Sequence, residues 1–173
     1  MYVDDSLVIH DGRHLPHPAD GQLAVEIDAQ LAFGTGNHQT TRMMAAALAD
    51  LPLEGKTVLD CGTGTGILAI VALLRGAREA VGYDIDEWSV DNARHNAVLN
   101  HVDDRFQSLL GDSSVISSLQ TTFDVVTANI NRNILLNDLP LMRQALSPQG
   151  RLLLSGFYCD DIPLLKAKAE DHV

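Results

Sequence analysis

The fold is decided by one short stretch, Asp60-Cys61-Gly62-Thr63-Gly64-Thr65-Gly66, whose three glycines stand two positions apart. It follows the β-branched run Thr57–Asp60 and precedes Ile67–Leu74, a run of eight residues that is apolar nearly all round. Such a run is typical of a buried helix. A glycine-rich loop between a strand and a helix can bring its backbone close to a ligand. The stretch therefore predicts a βα unit whose loop forms part of a binding site.

The same alternation of β-branched runs and helical segments continues on the carboxyl-terminal side of the loop. Five strands are predicted, at Thr57–Asp60, Ala80–Asp84, Phe106–Leu110, Phe123–Thr127 and Arg151–Ser155. Repeated βα units favour a parallel sheet with helices on both faces. We therefore expect an α/β protein with a Rossmann-like parallel sheet sandwiched by helices.

The helices of this fold are predicted from caps, stops and helical periodicity. The first is Thr41–Ala49 with Thr40 as its cap, and the second is Ile67–Leu74. The third is Glu87–Leu99, capped by Asp86 and ended by a left-handed Asn100. A short helix is expected within Ser113–Gln120, and Pro140 breaks or bends the helix of the last crossover.

The first thirty residues differ in kind from the rest of the chain. They hold six carboxylates, one Arg, three His and two Pro, with an alternating face at Leu23, Val25 and Ile27. This composition predicts two strands joined by a long turn. We expect residues 1–30 to form an amino-terminal segment and residues 31–173 to form the main domain.

Charge and composition narrow the classes of partner. The 173 residues carry 12 Lys and Arg against 23 Asp and Glu, a formal net charge of −11. This balance disfavours direct binding to nucleic acid and favours a basic protein or a cationic small molecule. No apolar run approaches the ~20 residues of a spanning helix. The two cysteines are too few for a disulfide framework, so we expect free thiols and a cytoplasmic protein without membrane contacts.

The glycine loop and the carboxylate before it indicate the charge of the ligand. A dinucleotide fingerprint needs its third glycine at position 67, which is Ile67, and no Gly-Lys-Ser or Gly-Lys-Thr follows for a P-loop. Asp60, at the end of the strand, would repel a phosphate and attract an ammonium group. The ligand is therefore expected to carry a positive charge near Asp60.

A second carboxylate indicates a sugar. Asp84 ends the next strand, 22 residues after Gly62, and an acid at about this spacing accepts hydrogen bonds from both hydroxyls of a ribose. It could instead cap the next helix, but Asp86 is better placed for that role. A nucleoside that bears an amine and no diphosphate satisfies both carboxylates, and S-adenosylmethionine has that form.

Several motifs make the chain similar to class I methyltransferases, and within them to the PrmA family. They are Ala32-Phe33-Gly34-Thr35-Gly36-Asn37-His38-Gln39-Thr40-Thr41, Val58 to Ile70, Asp84-Ile85-Asp86 and Thr127-Ala128-Asn129-Ile130. The resemblance, which covers roughly residues 32–166, implies methylation of lysines and of the amino-terminal amine of ribosomal protein eleven of the large subunit. It implies that Thr41, Gly62, Asp84 and Asn129 contact S-adenosylmethionine, and that Phe33 with its glycine turn closes over it. Gly64, in the same loop as Gly62, is expected to bind the cofactor as well.

For the reaction itself we expect Asn129 to be the catalytic residue. Its side-chain oxygen would accept an N–H of the substrate amine and direct the nitrogen lone pair to the methyl group, although Asn129 could instead cap the following helix. His38 could take the proton or only hold its loop, and Asp112 could bind adenine or only start a helix. No metal is expected, because the spacing of His10, His14 and His17 matches no zinc pattern.

Members of this family also carry an amino-terminal substrate-recognition domain and a final strand hairpin. We expect residues 1–30 to be a remnant of the linker to that domain, and the sheet to lack the hairpin. Two alternatives to a ribosomal-protein methyltransferase stay open: a methyltransferase of another protein lysine, and a module that binds S-adenosylmethionine without turnover.

Overall fold

The computed structural model describes residues 2–13, 18–28 and 38–170, apart from the side chains of Tyr2 and His38. It contains a five-stranded parallel sheet, as predicted. The strands are β4 (Thr57–Cys61), β5 (Glu79–Asp84), β6 (Phe106–Leu110), β7 (Phe123–Asn129) and β8 (Leu146–Ser155), in the order β6-β5-β4-β7-β8. Among the described residues β8 is the last strand.

Six α-helices connect or flank these strands within the described residues. They are α1 (His38–Ala49), α2 (Ile67–Leu74), α3 (Glu87–Leu99), α4 (Ser114–Leu119), α5 (Arg132–Gln144) and α6 (Ile162–Glu170), with 3₁₀ turns at Asp103–Arg105 and Cys159–Asp161. None of these helices is long and apolar enough to cross a membrane.

The two faces of the sheet are covered by separate hydrophobic clusters. On one face, residues of α1, α2 and α3 pack with inward side chains such as Val58 and Val125. On the other face, residues of α4, α5 and α6 pack with Leu59 and Val126. Successive residues of a strand point to opposite faces, so both layers use the same two strands. The predicted sandwich of helices around a parallel sheet is thus confirmed.

The amino-terminal segment forms a small sheet of its own. Its strands are β1 (Tyr2–Asp4), β2 (Leu7–His10) and β3 (Leu23–Glu26); β1 pairs antiparallel with β2, and β2 pairs parallel with β3. The sequence predicted two strands joined by a long turn, so the short β1 was missed. Val25 and Ile27 are buried in the same cluster as α1 and α2, which confirms the apolar face predicted there.

The free edge of β3 is held by asparagine side chains of α3. The Asn100 amide exchanges two hydrogen bonds with the backbone of Glu26, at 3.0 and 2.7 Å, and Asn96 does the same with Asp28, at 2.8 and 3.2 Å. Asn92 adds a bond of 2.6 Å to the Asp28 carbonyl. The bonded positions are two residues apart on the strand, about 6.6 Å, and four residues apart on the helix, about 6.0 Å. The two spacings are therefore similar enough for successive asparagines to reach successive strand positions. We call Asn92, Asn96 and Asn100 the asparagine ladder.

Three local predictions were wrong, and a fourth was wrong in part. Helix α1 begins at His38, so Thr40 lies inside it and does not cap it. Asn100 has φ −100°, and the left-handed residue after α3 is His101 with φ 58°. Of the break or bend predicted at Pro140, the break is absent, since helix α5 is continuous from Arg132 to Gln144. Strand β8 begins five residues earlier than the predicted Arg151.

Candidate active site

Polar side chains meet at the carboxyl edge of the five-stranded sheet. Asp60 lies near the end of β4, Asp84 ends β5, Asn129 ends β7 and Ser155 ends β8. The chain runs from β4 outward through β5 to β6, then returns to build β7 and β8 on the other side of β4. Ligands of open α/β sheets bind outside the carboxyl ends of the strands, where the strand order reverses. The predicted residues Asp60, Asp84 and Asn129 therefore share the edge at which a ligand is expected.

Asp60 is a buried carboxylate, only 2% exposed. The hydroxyl groups of Thr127 and Thr63 donate hydrogen bonds to its two oxygens, at 2.7 and 2.9 Å. Burial raises the pKa of Asp60 to about 6, the two hydroxyls oppose that rise, and the neighbouring charge of Asp84 adds to it. In the described part of the chain, no basic side chain forms an ion pair with Asp60. A cationic ligand group would relieve this uncompensated charge.

The sequence around Asp60 explains how a polar cluster fits into a buried strand. Thr63 is 4% exposed and packs where Gly82 of β5 has no side chain; a Cβ at Gly82 would lie 2.6 Å from the Thr63 hydroxyl. Thr127 is the register partner of Asp60 on β7. A glycine on one neighbouring strand and a threonine on the other therefore place two hydroxyl donors on one carboxylate.

Asp84 is partly exposed and is held by backbone amides. Its Oδ2 accepts from the N–H of Gly64 at 3.0 Å, and its Oδ1 accepts from the N–H of Asp86 at 3.0 Å. The cap of α3 is Asp86, which accepts from the N–H of Trp88 at 3.2 Å, as predicted. Each carboxylate oxygen has further lone pairs, so Asp84 is oriented and can still accept hydrogen bonds from a ligand.

The glycine loop turns by left-handed conformations at each of its glycines. The φ angles of Gly62, Gly64 and Gly66 are 70°, 54° and 81°, a region that other residues rarely adopt. A Cβ at Gly64 would meet nothing within 4 Å, so this side of the loop is open. Gly64, whose N–H binds Asp84, is thus the open position of the loop, whereas a Cβ at Gly62 would collide with the Ile130 side chain.

Asn129 is held on both ends of its side-chain amide. The Ser155 hydroxyl donates to Oδ1 at 2.7 Å, and Nδ2 donates to the Thr41 hydroxyl at 3.4 Å. The structure thus brings Thr41, on α1, to the end of β7. The cap of α5 is Asn131, whose Oδ1 accepts from the N–H of Ile134 at 3.1 Å. Asn129 therefore does not perform the helix-capping role that was its alternative interpretation.

Of the other predicted residues, Asp112 follows the end of β6 at the same edge of the sheet, and several lie outside the described part of the chain. Phe33, the turn 34–37 and two of the three histidines considered as metal ligands, His14 and His17, lie outside it. Asp112 is exposed and accepts from the N–H of Ser114 at 2.9 Å, at the start of α4. Within the described ranges, no three His, Cys, Asp or Glu side chains cluster as a metal site would require.

Both cysteines are free, as predicted. Cys61, next to Asp60, is buried, and burial raises the pKa of its thiol to about 12. A thiol with this pKa is almost entirely protonated at neutral pH. The neighbouring charge of Asp60 also raises this pKa. Nucleophilic catalysis by Cys61 is therefore disfavoured.

Three polar residues of the site were not predicted: Thr63, Thr127 and Ser155. Thr127 could have been found, because it interrupts the apolar run Val125–Val126–Ala128 of a buried strand, and a buried hydroxyl needs a partner. Ser155 has the same signal more weakly, since it follows three leucines at the end of β8. Thr63 had no signal apart from its place in the glycine loop.

Comparison with known protein families gives one match along nearly the whole chain. The family model of ribosomal protein L11 methyltransferase (PrmA) matches residues 1–172, so the similarity extends beyond the predicted limits of 32 and 166. The chain is 45% identical to the ribosomal protein L11 methyltransferase of Bacteroides thetaiotaomicron, covering 99% of this chain and 60% of that protein. It is 38% identical to the protein of the same name from Chlorobaculum tepidum, covering 84% of this chain and 51% of that protein. The chain thus spans 60% or less of these relatives.

Solved structures agree with the fold. The ribosomal protein L11 methylase of Lactobacillus delbrueckii subsp. bulgaricus superposes with a TM-score of 0.88 at 29% identity, covering 99% of this chain and 87% of that chain. The Trypanosoma brucei PRMT1 enzyme-prozyme complex with AdoHcy gives a TM-score of 0.58 at 27% identity, covering 67% of this chain and 38% of that chain. The predicted methyltransferase fold is therefore confirmed.

Proposed function

The chain belongs to the PrmA family, and on that premise we propose that it transfers methyl groups from S-adenosylmethionine to amines of a ribosomal protein. The acceptors would be lysine side chains or the amino-terminal amine of the large-subunit protein L11, the protein named in the descriptions of its relatives. The observation that carries the proposal is the pair Asp60 and Asp84 at the tips of adjacent strands, with a glycine loop beside them that is open at Gly64.

The donor set fits the two polar ends of S-adenosylmethionine. Asp60, buried and without an ion pair among the described residues, would face the ammonium group of the methionine part. Asp84, oriented by two backbone N–H groups, would accept from the ribose hydroxyls. Gly62 and Gly64 would let the backbone approach the ligand, and Thr41 would contact it from α1. Phe33 is proposed to cover the cofactor on the basis of the family resemblance.

The residues near Asn129 suit an acceptor that must lose a proton. A lysine amine has a reference pKa near 10.4, and a carboxylate beside it would favour the charged form. Asn129 offers a neutral amide oxygen, and the described groups bonded to it, Ser155 and Thr41, are neutral hydroxyls. An amine held there can present its lone pair without a strong preference for the ammonium form.

When bound, S-adenosylmethionine supplies an electrophilic methyl group: the amine nitrogen forms the new N–C bond as the C–S bond breaks, and that electron pair remains on sulfur. Asn129 would hold the amine by accepting one N–H, which directs the lone pair toward the methyl group. The extra proton leaves the methylated nitrogen for water. No residue of this chain needs to form a covalent intermediate, so alignment of the two reactants is the main contribution of the protein.

The proposal extends to the organisation and setting of the protein. Residues 31–173 would form the catalytic domain, and residues 1–30 would form the segment through which a substrate-recognition domain is joined in relatives of full length. The protein partner would be basic, because this chain carries a net charge of −11. We place the reaction in the cytoplasm, with no membrane and no direct nucleic-acid contact.

The first test is a calorimetric titration of the chain with S-adenosylmethionine, S-adenosylhomocysteine and NAD. We expect binding of the first two and none of NAD, because Asp60 and Asp84 attract the ammonium and ribose groups and repel a pyrophosphate. Tight binding of NAD with no binding of S-adenosylmethionine would contradict the assignment of the cofactor.

The second test separates the substrate alternatives. Radiolabelled methyl groups are supplied to purified protein L11, to total ribosomal proteins and to a general pool of soluble protein. Incorporation into L11 supports the proposal, and incorporation mainly into the general pool would favour a methyltransferase of another protein lysine. Cofactor binding without transfer to any amine would indicate a binding module without turnover.

A further inference from the structure

Ser155 makes a close contact to the residue proposed to hold the substrate amine. It is the register partner of Asn129 in the parallel pair β7–β8, and its hydroxyl donates to Asn129 Oδ1 at 2.7 Å. Both residues are half-buried. An amide oxygen has two lone pairs, so this bond occupies one of them and leaves one for a substrate N–H.

The opposite end of the Asn129 amide is also engaged. Its Nδ2 donates to the hydroxyl of Thr41, a residue that is 9% exposed. With bonds at both ends, rotation of the amide about its last side-chain bond is restricted. The Ser155 bond is the shorter of the two, 2.7 Å against 3.4 Å, so Ser155 contributes more to the orientation.

The backbone that carries this pair is fixed by two further contacts between the ends of β7 and β8. Gly156 has φ 89°, and a Cβ there would collide with the Ile130 carbonyl oxygen, so the two loops are in direct contact. Beyond them, Arg132 Nε and Asp161 Oδ1 form an ion pair at 2.7 Å. Ser155 is thus the innermost of three successive connections between the two loops.

We propose that Ser155 is a positioning residue for methyl transfer, which acts through Asn129 by holding its amide oxygen toward the acceptor amine. This inference rests on the proposed function. A free asparagine amide could turn its NH₂ group toward the amine, where it would donate to the nitrogen lone pair that must attack the methyl group. Ser155 would therefore raise the rate of transfer without contributing to the affinity for the cofactor.

A double-mutant cycle tests this role, with Ser155→Ala, Asn129→Ala and the combined variant, assayed by methyl transfer to protein L11. We expect Ser155→Ala to lower kcat about tenfold, the effect of one strong hydrogen bond. In the Asn129→Ala background the same change should lower kcat less than about twofold, because the residue through which it acts is gone. Cofactor affinity should stay within about threefold throughout.

Two matched variants separate positioning from general stability. Ser147→Ala removes another hydroxyl of β8, one that donates to Asp124 of β7 at 3.2 Å near the opposite end of the strand. It should leave kcat within about twofold of the unsubstituted chain. Ser155→Thr keeps the hydroxyl and should restore most of the activity that Ser155→Ala loses.

Equal losses from Ser155→Ala in the two backgrounds, or an equal loss from Ser147→Ala, would overturn the positioning role. Absence of methyl transfer by the unsubstituted chain would instead overturn the proposed function, and the inference with it. If Ser155→Ala does not fold, Ser155→Cys fills nearly the same volume with a weaker donor and enters the cycle in its place. The NMR signals of the Asn129 side-chain NH₂ give a readout besides activity: they should shift in Ser155→Ala and stay in place in Ser147→Ala, and unchanged signals in both would contradict the inference.

Discussion

The two sides of the candidate site differ in charge. On β4 and β5 the strand tips carry Asp60 and Asp84, which we call the carboxylate side. On β7 and β8 they carry Asn129 and Ser155, which with Thr41 form the neutral side. Because β4 and β7 are adjacent strands, the two sides lie next to each other along one edge of the sheet.

This difference follows the needs of the two proposed reactants. The methyl donor is cationic at all relevant pH values, so carboxylates favour its binding. The acceptor amine must be neutral to react, and a carboxylate beside it would stabilise the unreactive ammonium form. A site with charges on one side and neutral polar groups on the other can satisfy both requirements, and each prediction below tests one side against the other.

The largest effect is expected from Asp84→Ala on the carboxylate side. Two charge-assisted hydrogen bonds to the ribose would be lost, so the affinity for S-adenosylmethionine should fall about a hundredfold or more by calorimetry. Asp86→Ala is the matched control, since Asp86 caps α3; it should lower Tm and leave the affinity within about threefold. An unchanged affinity of Asp84→Ala would refute the ribose assignment.

A smaller effect, and of a different kind, is expected from Asn129→Ala on the neutral side. Turnover should fall about thirtyfold, while cofactor affinity changes less than about threefold, because the side chain is proposed to act mainly on the amine. Asn131→Ala, which removes the cap of α5, serves as the control and should affect Tm more than turnover. Equal losses of turnover and affinity in Asn129→Ala would assign it to the cofactor alone.

The third prediction concerns pH. Since the pKa of Asp60 is about 6 without a ligand and a bound ammonium would lower it, cofactor binding requires loss of a proton below that pH. The affinity of the unsubstituted chain should be about tenfold weaker at pH 5 than at pH 8. In Asp60→Asn the affinity should be weaker at pH 8 and should no longer vary over this range. A pH dependence that persists in this variant would place the titrating group elsewhere.

The same carboxylate has a consequence for stability in the absence of ligand. The folded pKa of about 6 lies above the ordinary value of 3.8 for an aspartate, so the contribution of Asp60 to stability is full below about pH 4 and is lost as the pH rises through 6. At pH 8 the unliganded Asp60→Asn protein should therefore have a Tm no lower than that of the unsubstituted chain. A marked loss of Tm would show that the carboxylate is stabilising there.

The smallest effect is expected where the two sides touch, at Thr127. Its hydroxyl lowers the pKa of Asp60 by donating to Oδ1, so Thr127→Val should move the pH at which affinity declines upward by about one unit, with little change at pH 8. Thr57→Val removes a hydroxyl bonded to Asp124 instead and should leave that pH unchanged. A shift of equal size in both variants would contradict a local effect on Asp60.

The fold was predictable where one short motif carried the information. The bounds of α2, α3 and β6 agree with those predicted because each element has a signal nearby. Gly76 follows the end of α2, Asp86 caps α3, and the aromatic Phe106 begins β6. Strand β1 of the amino-terminal sheet was missed because it has only three residues. The left-handed residue is His101 and not Asn100, and the Asn100 side chain instead bonds the backbone of Glu26, a distant contact that no local pattern reports.

The candidate site likewise contains residues whose position could be predicted from the sequence and residues whose position could not. Asp60, Asp84 and Asn129 were predictable because a side chain at the carboxyl end of a parallel strand is placed by topology alone. Ser155 and Thr63 act through specific hydrogen bonds, at 2.7 and 2.9 Å, to residues 26 and 3 positions away. Whether such bonds form depends on strand register and on the space left by Gly82, and neither quantity can be read from the local sequence.

The asparagine ladder has a consequence for how the amino-terminal segment can vary. The ladder contacts backbone atoms of Glu26 and Asp28 rather than their side chains. The ladder therefore recognises the extended shape and the register of the segment, while His95 of α3 also contacts the Asp28 carboxylate at 3.5 Å. Most residues should be tolerated at position 26, whereas proline, which lacks the N–H that Asn100 binds, should not. At position 26 the constraint thus resides in α3, whereas the buried neighbours Val25 and Ile27 must stay apolar.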